Sequence, residues 1–159
     1  MKQQELEKEF VQMIQQHSQI IYKVSSFYVD QTQTLDDLYQ ETVLNLWKAY
    51  PNFRQECVVS TWVYRIALNT CVSFFRRKKN KPVHIDIQMD IADEQRDKEL
   101  IQELYVIINR LGKFERALIL LYLDDKSYQE MSEITGLSIT NVATKLNRIK
   151  KKLKEMSNL

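Results

Sequence analysis

Glycine and proline are almost missing: two of each stand among 159 residues, against usual shares of ~7% and ~5%. Strand-rich folds need many tight turns, which draw on these residues, so the scarcity predicts an all-α protein. Cysteine is as scarce. Cys57 and Cys71 stand alone with no CxxC pair, which argues against a disulfide framework and against a zinc site. The histidines, His17 and His84, fall at no metal-ligand spacing. Two glycines could hardly build either GxGxxG or GxxxxGK[ST], so no phosphate-binding loop is expected. No apolar run approaches the ~18 residues that a membrane helix needs. Met1 to Phe10 is also too charged for a signal peptide. These absences predict a cytoplasmic chain without membrane insertion. Asp36–Asp37 and Asp124–Asp125 read as a helix start and the neighbour of a turn rather than as catalytic carboxylate pairs. No catalytic residue, metal or cofactor is expected.

The remaining composition is ordinary for a globular protein, with 44% hydrophobic and 28% charged residues, and excludes wholesale disorder. The net charge of +2 hides a strong segregation. Residues 1–56 carry five bases and eight acids. From Cys57 to Ile85 there are six bases and no acid, and from Asp86 to Glu103 two bases face seven acids. Ser138 to Leu159 returns to six bases against one acid. Two basic blocks divided by an acidic stretch suggest two contacts with a polyanion; the plain alternative is a pair of solvated helix faces.

Apolar residues recur at helical spacing almost throughout. Phe10, Ile14, Ile21, Val24 and Phe27 suggest an opening helix or helix pair. Thr34 is a suitable N-cap, with Leu35, Leu38, Thr42, Leu46 and Ala49 on one face after it and Pro51 at the end. A loop, Asn52 to Val58, leads to a long helix whose buried stripe is Val59, Trp62, Val63, Ile66, Thr70 and Phe74. Thr61, Arg65, Leu68, Asn69, Val72 and Arg76 face away from that stripe. Residues around Pro82 lose the helical period and turn acidic. A structureless loop longer than ~12–15 residues is unusual inside one compact domain, so the chain divides into 1–81, a linker at 82–97, and 98–159. The second domain resumes near Lys98 with Leu100, Leu104, Ile107, Ile108 and Leu111 on one face. Gly112 marks a stop, and Phe114 to Leu123 forms another short apolar helix.

The run Ser127 to Leu153 is the most specific feature. Ser127 and Glu130 form a capping box, Gly136 ends the short helix where a left-handed backbone favours glycine, and Ser138 caps the next one. There Val142, Leu146, Ile149 and Leu153 define the buried stripe, with Thr140, Thr144, Asn147 and Lys151 opposite, flanked by Ala143 and Arg148. This is a helix-turn-helix pattern, whose second helix fits the major groove of duplex DNA. An αα-hairpin with a charged outer face is the competing reading.

The segments TLDDLYQETVLNLWKAYPNFR and TWVYRIALNTCVSFFRR, in order and spacing with the carboxy-terminal motif, closely resemble the sigma factors of bacterial RNA polymerase. The resemblance is to their small two-domain extracytoplasmic-function group, over roughly Phe10 to Lys81 and Lys98 to Leu153. It implies an all-α fold of two small helical domains joined by a flexible acidic linker, and a dissociable, non-enzymatic subunit that directs transcription initiation. Implied partners are core RNA polymerase and promoter DNA, as duplex and melted strand, with room for an anti-sigma factor.

Carried over by motif, Asp37, Gln40, Glu41, Leu44, Asn45 and Lys48 would form the polymerase-docking face; on the residues alone, a solvated helix face serves as well. Asn52, Phe53, Arg54, Thr61, Arg65, Asn69, Arg76 and Arg77 would open and hold the minus-ten element. Phe53 could receive an unstacked base or simply pack, and Trp62 is core or a stacking platform. Thr140, Ala143, Thr144, Lys145, Asn147, Arg148 and Lys151 would read the minus-thirty-five duplex. The sequence departs from the family at Ala143, where a basic residue is common, at Val59, often aromatic, and at Ser73, often acidic. These changes shift the expected promoter preference. The acidic stretch at Asp86, Asp90, Asp93 and Glu94 would mimic nucleic acid near the polymerase's RNA path, or only aid solubility.

Two rival functions remain open from the sequence. An operator-binding helix-turn-helix regulator explains Ser127 to Leu153 but gives the YQETVLNLWKAY and TWVYRIALN segments no task. A helical protein-binding adaptor leaves the basic face of the last helix unused.

Overall fold

The structure, a computed structural model, describes residues 2–30, 33–74 and 95–157. Among these residues there is no strand, and seven α-helices succeed one another: α1 Lys2–Ser26, α2 Leu35–Ala49, α3 Val59–Phe74, α4 Gln95–Ile108, α5 Lys113–Leu123, α6 Tyr128–Thr135 and α7 Ile139–Ser157. Of the expected linker at 82–97, only its last three residues are described, and they are helical. The fourth helix therefore starts at Gln95, three residues before the expected Lys98. Arg76, Arg77 and the acidic residues Asp86, Asp90, Asp93 and Glu94 lie outside the described residues.

Helices α1–α3 pack on one another as a three-helix group. The expected opening helix or helix pair is one helix with a kink: His17 leaves helical geometry at φ −119° and ψ 16°, and its ring Nδ1 donates to the Met13 carbonyl at 2.9 Å. Thr34 caps α2 by accepting from the Asp37 amide at 3.1 Å. Pro51 sits in a 3-10 turn, Tyr50–Asn52, that follows α2 directly. One apolar cluster belongs to this group alone and joins Phe10, Met13, Ile21, Leu46, Trp62 and Val63. Phe10 meets Trp47 with ring centroids 4.9 Å apart.

In the carboxy-terminal group, α7 packs against α4, α5 and α6. Gly112 does more than stop a helix: with φ −67° and ψ 167° it is the N-cap of α5, and its amide donates to Glu115 Oε1 at 3.1 Å. Leu104 and Phe74, both expected in buried stripes, are each 36% exposed.

The two groups are packed together. A single buried cluster runs from Val24, Tyr28, Tyr64, Ala67 and Leu68 to Ile108, Leu120, Met131 and Leu146 without a break. Each valine, leucine, isoleucine or methionine among them contributes about 1.5–3 kcal/mol when fully buried. A buried cation crosses the same junction. Arg116, 1% exposed, donates to Leu111 O at 3.2 Å, to Asn109 O at 2.7 Å and, across the groups, to Phe27 O at 3.0 Å. Its guanidinium lies 5.9 Å from the Tyr28 ring centroid, and the Tyr28 hydroxyl donates to Lys113 O at 2.7 Å. Burial brings the guanidinium down to about 10, so it stays charged at neutral pH.

Candidate nucleic-acid interfaces

The helix-turn-helix is built from local signals. Ser127 Oγ accepts from the Glu130 amide at 3.1 Å, and Glu130 Oε1 accepts from the Ser127 amide at 3.0 Å. That reciprocal cap holds the Glu130 carboxyl below the usual carboxylate range. Gly136 ends α6 at φ +81°, where a side chain would be strained although nothing lies within 4 Å of an added Cβ. Ser138 Oγ accepts from the Asn141 amide at 3.1 Å and starts α7.

In α7, Val142, Leu146 and Ile149 are 0–2% exposed. The stripe fixes the opposite face by helix geometry: Thr140, Thr144, Lys145, Asn147, Arg148 and Lys151 are exposed, and Ala143 is half-buried. Two other basic residues of α7 are engaged within the protein. Lys152 pairs with Glu115 at 3.2 Å, and the Lys150 ammonium stands 3.9 Å from the Tyr122 ring centroid. Among the described residues, no ion pair engages Lys145, Arg148 or Lys151. A helix with an amide, a guanidinium and two ammonium groups on one open face can meet base edges and phosphates together.

The amino-terminal candidates surround a concavity. The chain between α2 and α3 bends through Gln55 at φ +55°, a left-handed conformation that is costly for a residue with a side chain. Beside it lies a cavity of about 290 Å³, walled by Asn52, Phe53, Arg54, Trp62 and Arg65, with Ala49, Glu56 and Cys57 also on its lining. That volume stands at the small end of ligand pockets, ~300–1,000 Å³. Phe53 stacks on Trp62 with centroids 4.4 Å apart and planes 27° from parallel. Trp62 is both core, at 8% exposed, and one wall of the cavity. The arrangement offers an aromatic surface, an amide and the Arg54 guanidinium beside the Glu56 carboxylate, a lining with a stacking surface for an unstacked base.

The residues expected on the outer face of α3 are treated unequally. Asn69 is exposed and Arg65 half-buried, whereas Thr61 and Leu68 are 6% and 5% exposed. The helix wheel turned both away from the three-helix core; α5 and α6 also pack against α3, and Leu68 belongs to the buried cluster that spans the two groups. Arg65 Nη2 donates to the Glu133 carbonyl of α6 at 2.6 Å.

On α2, Asp37, Gln40 and Lys48 are exposed, Glu41 is half-buried, and Leu44 is 47% exposed. Asn45 is not a free member of this face: its Nδ2 donates to Thr70 Oγ1 at 2.9 Å, and that hydroxyl donates to Ile66 O at 2.8 Å. The side chain therefore ties α2 to α3.

Sequence reasoning missed the polar centre of the junction. Asp124, treated as a turn neighbour, accepts from both Lys23 of α1 and Tyr64 of α3. Burial raises its carboxyl, but the hydrogen bonds from Lys23 and Tyr64 outweigh that and hold it below the usual range. The Tyr64 hydroxyl is pushed far up by burial and by the same carboxylate. One signal pointed here. The α3 segment VSTWVYRIALNTCVSF holds a single charged residue in sixteen, a composition that fits a helix covered on more than one side. Cys71, 0% exposed, sits beside Ser25 and Thr42, and burial pushes its thiol up to about 12. Among the described residues, no group of histidine, cysteine and carboxylate side chains could hold a metal ion. No described helix is long and apolar enough to cross a membrane.

Comparison with known proteins matches residues 13–81 to the family model of Sigma-70 region 2 and residues 101–153 to that of Sigma-70, region 4. The chain is 31% identical over 135 residues to the RNA polymerase sigma factor SigZ of Bacillus subtilis, covering 82% of this chain and 77% of that protein. It is 25% identical over 140 residues to SigV of the same organism, covering 87% and 84%. Among solved structures, the fold is shared with the sigma factor RpoE bound to the anti-sigma factor NepR from Bartonella quintana. That likeness has a TM-score of 0.73 at 20% identity over 96% of this chain and 98% of that one. CnrH in complex with the cytosolic domain of CnrY gives 0.67 at 21% identity, over 96% and 89%.

Proposed function

This chain belongs to the extracytoplasmic-function group of the sigma-70 family and is an RNA polymerase sigma factor, and from that premise we propose how its residues divide the work. Residues 1–81 dock on core polymerase and open the minus-ten element. Residues 98–159 hold the minus-thirty-five duplex, and 82–97 bridge the two. The docking surface is the α2 face of Asp37, Gln40, Glu41, Leu44 and Lys48, with Asn45 bracing it through Thr70 rather than touching the partner.

Asn52, Phe53 and Arg54 receive the displaced strand in the cavity against Trp62. Thr61, Arg65, Asn69, Arg76 and Arg77 extend that track along α3 and beyond it. On α7, Thr140, Ala143, Thr144, Asn147 and Arg148 face base edges while Lys145 and Lys151 hold phosphates. The chain supplies no catalytic group of its own and works in the cytoplasm. An anti-sigma factor is a further partner, by analogy with the complex of RpoE and NepR.

The observation that carries this division is the opposition within α7 between the buried Val142, Leu146 and Ile149 and the exposed Thr144, Asn147, Arg148 and Lys151. The test is run-off transcription with bacterial core polymerase on genomic fragments that include the protein's own upstream region. Leu44→Asp should lower core binding, Arg54→Ala should lower strand opening with core binding intact, and Arg148→Ala should relax preference in the minus-thirty-five element. Normal core binding by Leu44→Asp would remove α2 from the docking role. A palindromic footprint by the isolated chain, without polymerase dependence, would favour the operator-binding regulator.

A further inference from the structure

We propose that Gln55 is a positioning residue for strand capture: its left-handed backbone, held at a cost, presets the loop between α2 and α3 so that the cavity against Trp62 stands formed before DNA arrives. The proposal rests on the reading above that this cavity takes a base.

Three features carry it. First, the conformation is uncommon for this residue type. Among the described residues, two other than glycine have a positive φ, Gln55 at +55° and Asp125 at +59°. Aspartate enters the left-handed region more readily than most residues, because its short side chain can bond to the local backbone; the longer glutamine gains no such relief. Second, both ends of the loop are anchored. The Phe53 amide donates to Tyr50 O at 3.1 Å, and the Phe53 ring lies on Trp62. Downstream, the Trp62 amide donates to Val58 O at 3.2 Å and fixes the start of α3. Arg54 to Cys57 must turn between these points, and Gln55 absorbs the bend. Strain of this kind persists where the surroundings over-determine it.

Third, Gln55 supplies backbone and not side chain. It is exposed and absent from the cavity lining, whereas its neighbours Arg54 and Glu56, and Cys57 after them, are on it. A return to negative φ would rotate the chain on one side of Gln55 against the other, and Arg54 and Glu56 would no longer share a wall. The loop is therefore ordered during folding rather than at binding, which spares the complex that entropy.

The test compares the full chain, alone and with core polymerase, as wild type, Gln55→Gly, Gln55→Asn, Gln55→Ala and Gln55→Val. Glycine and asparagine accept a positive φ, and β-branched valine is the least tolerant; alanine is the milder variant should valine disturb folding. The probe is a fluorescent single strand carrying the minus-ten element of a promoter mapped by run-off transcription. Gln55→Val should weaken strand binding about tenfold, as when the competent loop falls to about a tenth of the population. Gln55→Ala should lose less in the same direction, and Gln55→Gly and Gln55→Asn should keep the wild-type affinity. Core binding and binding of the minus-thirty-five duplex should not change. In the free chain, alkylation of Cys57 by iodoacetamide should speed up in Gln55→Val, Cys71 being buried; an unaltered rate overturns the preset loop. Losses in Gln55→Gly and Gln55→Asn as large as in Gln55→Val would make the side chain a DNA contact and overturn the proposal. Unchanged strand affinity in every Gln55 variant, while Arg54→Ala lowers it, overturns the positioning role alone. If Arg54→Ala lowers nothing either, the reading of the cavity fails and the positioning role with it.

Discussion

In α7 the guanidinium of Arg148 and the amide of Asn147 reach solvent, whereas in α3 Arg65 is spent on the Glu133 carbonyl and Thr61 is buried. The two helices offer comparable donors, yet only one presents them. The difference comes from how far the neighbours lie along the chain. The buried side of α7 is met partly by α6, which a glycine turn places beside it, so its outer face follows from local spacing. The second buried side of α3 is met by helices about forty residues or more downstream, and local spacing cannot reveal it.

The hardest way to break this contrast is to remove what joins the groups. Arg116→Ala strips three charge-assisted hydrogen bonds and leaves three carbonyls bare, one of them Phe27 O in the other group. It should cost about 3–5 kcal/mol in denaturant unfolding; a loss under 1 kcal/mol would mean the guanidinium is not a keystone. Next comes the open helix. Arg148→Ala should cost ~1–3 kcal/mol in duplex affinity and relax preference at one base position, and Lys151→Ala should mainly flatten the salt dependence. Equal losses on every sequence with Arg148→Ala would reduce that residue to a phosphate contact.

A smaller effect is expected at the turn between the two motif helices. Gly136→Ala meets open space, so only the backbone penalty at φ +81° applies, about 1 kcal/mol of stability, to be read by thermal melting. The smallest effect concerns acid. Asp124 ionises more readily in the folded chain than in the unfolded one, so its contribution is complete above the ordinary carboxylate value of ~3.9 and is lost as pH falls through its lower folded value. The stability difference between wild type and Asp124→Asn should therefore be constant at neutral pH and shrink at the acid end. A difference that persists there would show that the carboxylate does not titrate with folding.

Much of the carboxy-terminal motif was readable because its determinants are neighbours in sequence. Ser127, Glu130, Gly136 and Ser138 each satisfy or release backbone groups within a few residues, and each does so in the structure. Thr34 was readable for the same reason. Asn45, Thr61 and Leu68 were not, since a helix wheel marks the first apolar face and is silent on a second neighbour. Arg116 is the extreme case. In the segment KFERALILLYL it looks like the polar edge of an amphipathic helix, and only the meeting of α1 with the α4–α5 turn supplies the three carbonyls that make its burial tolerable.

The ring pair at the cavity has a practical consequence. The chain holds only two tryptophans, and they report on different places: Trp47 lies against Phe10 in the helical core, while Trp62 lies face to face with Phe53 at the mouth where a base would enter. Replacing Trp47 with phenylalanine leaves a single tryptophan at the proposed point of strand capture. Its quenching would report binding of a single strand by the isolated chain without any dye attached to protein or DNA.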